Sequence, residues 1–161
     1  MSNNLKTSVQ RVQDILKSHN LGLNVVQFQT TTRTSQEAAD TIGCTVAQIA
    51  KTLIFKTKKS QKPVCVIASG VNRVDEKKIA NYIGEAIERP DADFVREHTG
   101  FAIGGVSPVG YEFDIKPLID EDLMKYEELW AAAGAPDASF RLTPQDLIKI
   151  THGTVADIKK A

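Results

Sequence analysis

Two groups of residues in this sequence have types and spacings that could do chemistry. The first is Lys51, set between Ile49-Ala50 and Thr52-Leu53-Ile54-Phe55. A lysine that opens an apolar strand either projects into a cavity, where its ammonium can hold an anion, or snorkels at the strand edge. The second is Gly104-Gly105-Val106-Ser107-Pro108-Val109-Gly110. Its glycines admit positive φ and let a ligand approach the backbone closely, and Pro108 stiffens the far side. Such a loop can offer N–H donors to a polarised carbonyl and C=O acceptors to a water. It can equally be a tight turn without a ligand.

Other catalytic devices are missing. Ser107 misses the GxSxG pattern by one position. The residue after it, Pro108, has no N–H to give an oxyanion hole. Ser107 is therefore expected to hydrogen-bond a substrate or its own loop. His19, His98 and His152 stand far apart with no second ligand at metal spacing, and read as surface or cap residues. Neither a Walker A sequence nor GxGxxG occurs. Cys44 and Cys65 lack CxxC spacing and read as reduced thiols. No metal and no cofactor is expected.

The elements that must position these groups are legible from periodicity. Residues 7–19 carry Val9, Val12, Ile15 and Leu16 at helical spacing. Residues 24–29 alternate as a strand. Thr34-Ser35-Gln36-Glu37 is a capping box before a short helix ending at Gly43, and Thr45-Val46-Ala47-Gln48 offers a second. Residues 51–57 read as a strand, the lysines around 56–62 as a solvated hairpin tip, and residues 63–69 as a buried strand. Asp75 caps a helix that stops at Gly84. A short strand at 86–88 and a helix over 91–98 follow. Residues 115–119 read as an edge strand because Pro117 interrupts them. Strands are expected at 128–132 and 139–142, and Thr143-Pro144-Gln145-Asp146 starts a last helix. Strands and helices mix without strict alternation, which predicts an α+β fold. Its sheet is expected to be curved, mixed and partly barrel-like, flanked by helices.

Composition narrows the function. The chain has 161 residues, 42% hydrophobic and 25% charged, and reads as a single domain over 1–161. Its 20 basic and 20 acidic residues cancel. A long grip on a nucleic-acid backbone normally needs a basic excess, so DNA binding is not expected and any RNA contact should be short. No stretch approaches the roughly 18 apolar residues of a membrane span. The polar start Met1-Ser2-Asn3-Asn4 lacks a signal-peptide core. A cytoplasmic protein without membrane association is expected.

Ile49-Ala50-Lys51-Thr52-Leu53 and the 104–110 loop, in this order, resemble the YbaK/prolyl-tRNA-synthetase-associated editing-domain family. The resemblance covers nearly the whole chain and includes Asp75-Glu76-Lys77-Lys78, Thr99-Gly100-Phe101 and Thr143-Pro144-Gln145-Asp146-Leu147. It implies a free-standing aminoacyl-tRNA deacylase that hydrolyses the ester of a mischarged tRNA. The implied partner is a tRNA acceptor end, that of tRNA(Pro), with prolyl-tRNA synthetase as a further partner. Lys51 matches the family's lysine, which holds the phosphate or terminal adenosine. Gly104 and Pro108 match its GxxxP loop, in which the backbone of Gly104 and Gly105 positions the carbonyl and the attacking water. The substrate's ribose hydroxyl assists, so no side-chain nucleophile is required. Phe28, Thr31, Thr52, Asn72, Ser107, Pro108 and Ala132 are the expected substrate contacts.

That chemistry suits the missing devices, because an aminoacyl ester is already activated and needs positioning and oxyanion stabilisation. The cysteine-removing branch carries Ser-Gly-Gly where this chain has Ala132-Ala133-Gly134. An apolar Ala132 favours alanine or 2-aminobutyrate over cysteine as the group removed. The alternative is a non-catalytic module of the same fold that holds a tRNA end or a synthetase.

Overall fold

The computed structural model describes residues 7–32, 34–102, 104–111 and 115–161. Local signals set the helices. Helix α1 (Thr7–Ser18) buries Val9, Val12 and Leu16, and its Gln13 Oε1 accepts from the Val25 amide at 2.8 Å. Thr34 caps α2 (Ser35–Ile42), accepting from the Glu37 amide, and Gly43 closes it in the left-handed conformation. Thr45 and Gln48 form the second capping box around one 3-10 turn. Asp75 caps α3 (Glu76–Ile83) and Asp91 caps α4 (Ala92–Thr99). Thr143 and Asp146 bond reciprocally at the start of α5 (Pro144–Thr151). Caps of this kind contribute about 1 kcal/mol each.

The strands are β1 (Val25–Gln27), β2 (Ile49–Thr57), β3 (Pro63–Ser69), β4 (Ile87–Glu88), β5 (Leu118–Asp120), β6 (Leu129–Ala132), β7 (Ala138–Leu142) and β8 (Thr154–Ala156). They form one mixed sheet in the order β1-β7-β6-β2-β3-β5-β8, with β4 branching onto β2. The pairs β2–β6, β3–β5 and β5–β8 are parallel, and the rest are antiparallel. The fold is α+β with a mixed sheet, as the element pattern implied.

Period-2 alternation sorts the sheet's side chains into two cores. Ala50, Cys65, Ile67, Ile119, Ala131 and Phe140 join the larger cluster with α1 and α5. Phe55, Val64, Val66, Ala68 and Leu118 join the smaller one with Ile79 of α3. Among the described residues no helix is long and apolar enough to cross a membrane.

One sequence expectation needs correction. β5 is an interior strand, paired with β3 on one side and β8 on the other. Pro117 stands one residue before the strand, so its missing N–H is not needed by the ladder, while its carbonyl still accepts from the Thr154 amide at 2.9 Å. Strand β8 itself, three residues with two of them exposed, had no apolar alternation to announce it.

Candidate active site

The site arises where the partners of β2 change. β6 pairs with β2 only at Ile49 and Ala50, and β4 only at Lys56 and Thr57. Among the described residues no strand meets 51–55 on that edge. A cavity of about 500 Å³ opens there. Lys51 to Phe55 form its floor. Thr34, Ser35 and Ala38 of α2 and its cap line one side, and Gly104, Val106, Val95 and Ala135 line another. Trp130, Ala132 and Ser139 of β6 and β7 complete the wall, with Arg89 and Pro90 at the β4 end.

Lys51 stands opposite Ala68 of β3, on the face of the smaller core. It is half-buried and forms no ion pair among the described residues. Burial pulls its ammonium below the ordinary lysine range, the charge of Asp120 opposes that pull, and Arg73 reinforces it. A desolvated cation facing a cavity is an anchor for an anion.

Gly104 belongs to the opposite side. Val106 and Ala135, its neighbours in the wall, pack into the larger core. Gly104 has φ 96°, a conformation that favours glycine, and a methyl group there would meet nothing within 4 Å. Gly105 is constrained by closeness instead, since a Cβ would lie 2.8 Å from the Ala135 Cα. The loop is tied down from below. The Tyr111 hydroxyl donates to the Ser107 carbonyl at 2.5 Å, and the Tyr111 ring meets Phe101 edge-on. Arg11 of α1 covers the other face of that support, 4.5 Å above the Phe101 ring.

Of the residues singled out from sequence, Lys51, Thr52, Gly104 and Ala132 line the cavity. Gly105 lies directly behind, against Ala135. Ser107 and Pro108 are buried outside the lining. The Ser107 hydroxyl accepts from the Val109 amide at 3.2 Å, so it serves its own loop. Asn72 is elsewhere: its amide donates to Asp120 at 2.8 Å and Asp122 at 2.9 Å, which uses both of its hydrogens. Phe28 and Thr31 also stand outside the lining. The neighbouring Thr32 lines the cavity in their place, bonded through amide and hydroxyl to the Pro136 carbonyl. Sequence reasoning missed Trp130, Ala135 and Arg89. Trp130 is the single tryptophan of the chain, which marks it in the sequence without placing it.

Among the described residues the lining contains no Asp, Glu, His or Cys. The buried Cys65 thiol, pushed up to about 12 by desolvation, lies under the loop against Tyr111. What the cavity offers is one buried-edge lysine, an open strand edge and a glycine turn. It can hold an anion and present backbone groups to a carbonyl.

The model of the aminoacyl-tRNA editing domain family matches residues 29–150, three quarters of the chain. The chain belongs to this family. As an editing domain it is an enzyme that deacylates aminoacyl-tRNA. Among its relatives is YwhH of Bacillus subtilis, 30% identical over 148 residues, with 92% of this chain and 94% of the relative aligned. Another is EbsC of Enterococcus faecalis, named as a proposed Cys-tRNA(Pro)/Cys-tRNA(Cys) deacylase, 26% identical over 77% of this chain and 76% of that one. A crystal structure described as a proposed trans-editing enzyme for prolyl-tRNA synthetase superposes with a TM-score of 0.92 at 42% identity. It covers 98% of this editing domain and all of that chain.

Proposed function

We propose that this editing domain acts in trans on tRNA(Pro) carrying alanine or 2-aminobutyrate in preference to cysteine. The observation that carries the reading is the convergence of Lys51, Gly104 and Ala132 on one cavity whose described lining holds no Cys, His, Asp or Glu. Lys51 holds the phosphate or adenosine of the CCA end. The Gly104–Gly105 backbone orients the ester carbonyl and a water, and the neighbouring ribose hydroxyl assists. Positioning of this kind is sufficient for an activated ester. Ala132 presents a methyl group to the cavity, and the Val95, Val106 and Ala135 walls are apolar, which suits a small aliphatic side chain. One methylene changes binding by only ~1–3 kcal/mol, which is why synthetases admit such impostors.

The test is a deacylation panel of tRNA(Pro) charged with alanine, 2-aminobutyrate, cysteine, serine and proline, run with wild type and Lys51→Ala. Release of alanine or 2-aminobutyrate ahead of cysteine, lost by about 100-fold or more in Lys51→Ala, is expected. Binding of the charged tRNA with no release across the panel would instead make the chain a holding module. Cysteine as the fastest substrate would overturn the specificity.

A further inference from the structure

The backbone of β2 has a fixed parity. The Gly70 amide donates to the Ile49 carbonyl at 2.8 Å and the Thr57 amide donates to the Lys62 carbonyl at 2.9 Å. Odd-numbered residues of β2 therefore turn their amides toward β3. Even-numbered residues turn the other way. Ala50 faces β6 and Lys56 faces β4, and the Lys58 amide continues that line by donating to the Ala86 carbonyl at 2.9 Å. Thr52 and Ile54 fall in the gap. Among the described residues no strand meets their N–H and C=O groups, and both residues line the cavity. A second observation points to the same place. The Thr52 hydroxyl is buried with no hydrogen-bond partner, whereas buried polar groups are normally paired. Thr52 and Ile54 also belong to the sheet face opposite Lys51, the side on which Val106 and Ala135 stand.

An aminoacyl ester brings one group that these atoms fit. Its α-amine sits one carbon from the reacting carbonyl and offers two or three N–H donors. Among the described residues that line the cavity none is a carboxylate to receive it, and the two cations among them, Lys51 and Arg89, repel an ammonium. Neutral acceptors remain. We propose that the open edge of β2, the carbonyls of Thr52 and Ile54 together with the Thr52 hydroxyl, is the subsite for the free α-amine of the substrate. The assignment rests on the deacylase reading and adds a selectivity to it. A tRNA whose amino acid is already N-acylated, as in a growing peptide, keeps a single N–H and carries an acyl group in place of the other donors. Such a tRNA is spared.

The test uses RNA minihelices ending in 3′-(L-alanylamino)-3′-deoxyadenosine or in the 3′-propionylamino analogue, which differ only by the amine and cannot be hydrolysed. Trp130, in the cavity wall, reports binding by its fluorescence. Wild type should bind the alanylamino form about tenfold tighter, and Thr52→Val should cut that preference to about threefold while leaving propionylamino affinity unchanged. Thr52→Ser, which keeps the hydroxyl, should restore it. Equal affinities in wild type, or an undiminished preference in Thr52→Val, would overturn the subsite. A preference for the amine in a protein that cleaves no charged tRNA would keep the subsite and remove the deacylase reading. Binding of neither minihelix would remove both.

Discussion

Lys51 and Asp120 lie in one row of the sheet, two strands apart, with Ala68 between them. Lys51 pairs with Ala68, and continuing the β3–β5 register by one residue places Asp120 on the far side. Two strand spacings separate their backbones by about 10 Å. Asp120 is fully buried, accepting from the Ser69 amide at 3.1 Å, the Asn72 amide group at 2.8 Å and the Asp122 amide at 2.9 Å. Its charge thus has a fixed place from which to act on Lys51.

Asp120→Asn removes that charge. The attraction that raises the Lys51 pKa disappears while the burial that lowers it stays, so Lys51 loses its proton at a lower pH. The alkaline limb of the kcat/KM profile should move to lower pH, read from deacylation rates across the alkaline range. The variant should also lose about 1–3 kcal/mol of stability, because an amide NH₂ now faces groups that were donating to a carboxylate. An alkaline limb that stays in place would separate Asp120 from Lys51.

Lys51→Met should melt at or above the wild type at pH 7 while losing deacylation. Burial holds the folded-state pKa of Lys51 below its unfolded value. The unfolded chain then binds more protons between the two values, and stability rises with pH across that window. Below the window the half-buried ammonium opposes folding, and methionine relieves that opposition. The gain should shrink as pH climbs toward the ordinary lysine value of 10.5. Melting curves at pH 7 and pH 10 measure it, and a lower melting temperature at pH 7 would contradict it.

The two glycines of the loop should separate in their effects. Gly104→Ala meets only the strain of positive φ, about 1–2 kcal/mol, and should lower kcat by placing a methyl group in the cavity. Gly105→Ala drives a Cβ to 2.8 Å from the Ala135 Cα and 2.9 Å from its amide nitrogen, so backbone must move. It should cost about 1–3 kcal/mol and disturb the wall as well as the turn. Paired melts and steady-state kinetics compare them. A Gly105→Ala variant as stable as wild type would contradict the packing argument.

Tyr111→Phe should reduce kcat several-fold with little change in KM and cost about 1 kcal/mol of stability. The hydroxyl that it removes holds the Ser107 carbonyl beneath the glycine turn. A loop that keeps its kcat without this bond would be positioned by packing against Phe101 alone.

Much of this was written in local sequence. Caps at Thr34, Asp75, Asp91 and Thr143 start helices where their side chains accept backbone hydrogens, a matter of neighbours in the chain. Lys51 and Gly104 drew notice because a lysine inside an apolar strand and a glycine pair break local patterns, and the family resemblance supplied their joint role. That Asn72, Phe28 and Thr31 stand outside the cavity lining has a different origin. Whether Asn72 meets a substrate or two aspartates depends on Asp120 and Asp122, about fifty residues away. Pro117 likewise looked like an edge marker until the register showed that the strand begins after it. Neither Trp130 nor Ala135 could be assigned to the cavity without knowing that β6 stops pairing with β2 at Ala50.

The interval in the pairing of β2 also bears on how copies of the protein treat one another. A bare sheet edge ordinarily invites a strand from a second molecule, and long bare edges seed fibrils. Here β6 and β4 stand at either end of the interval, and only Thr52 and Ile54 turn their amides into it. An incoming chain could make one ladder repeat before colliding with a resident strand. The enclosure that leaves these amides free for a small guest therefore also keeps them from templating self-association.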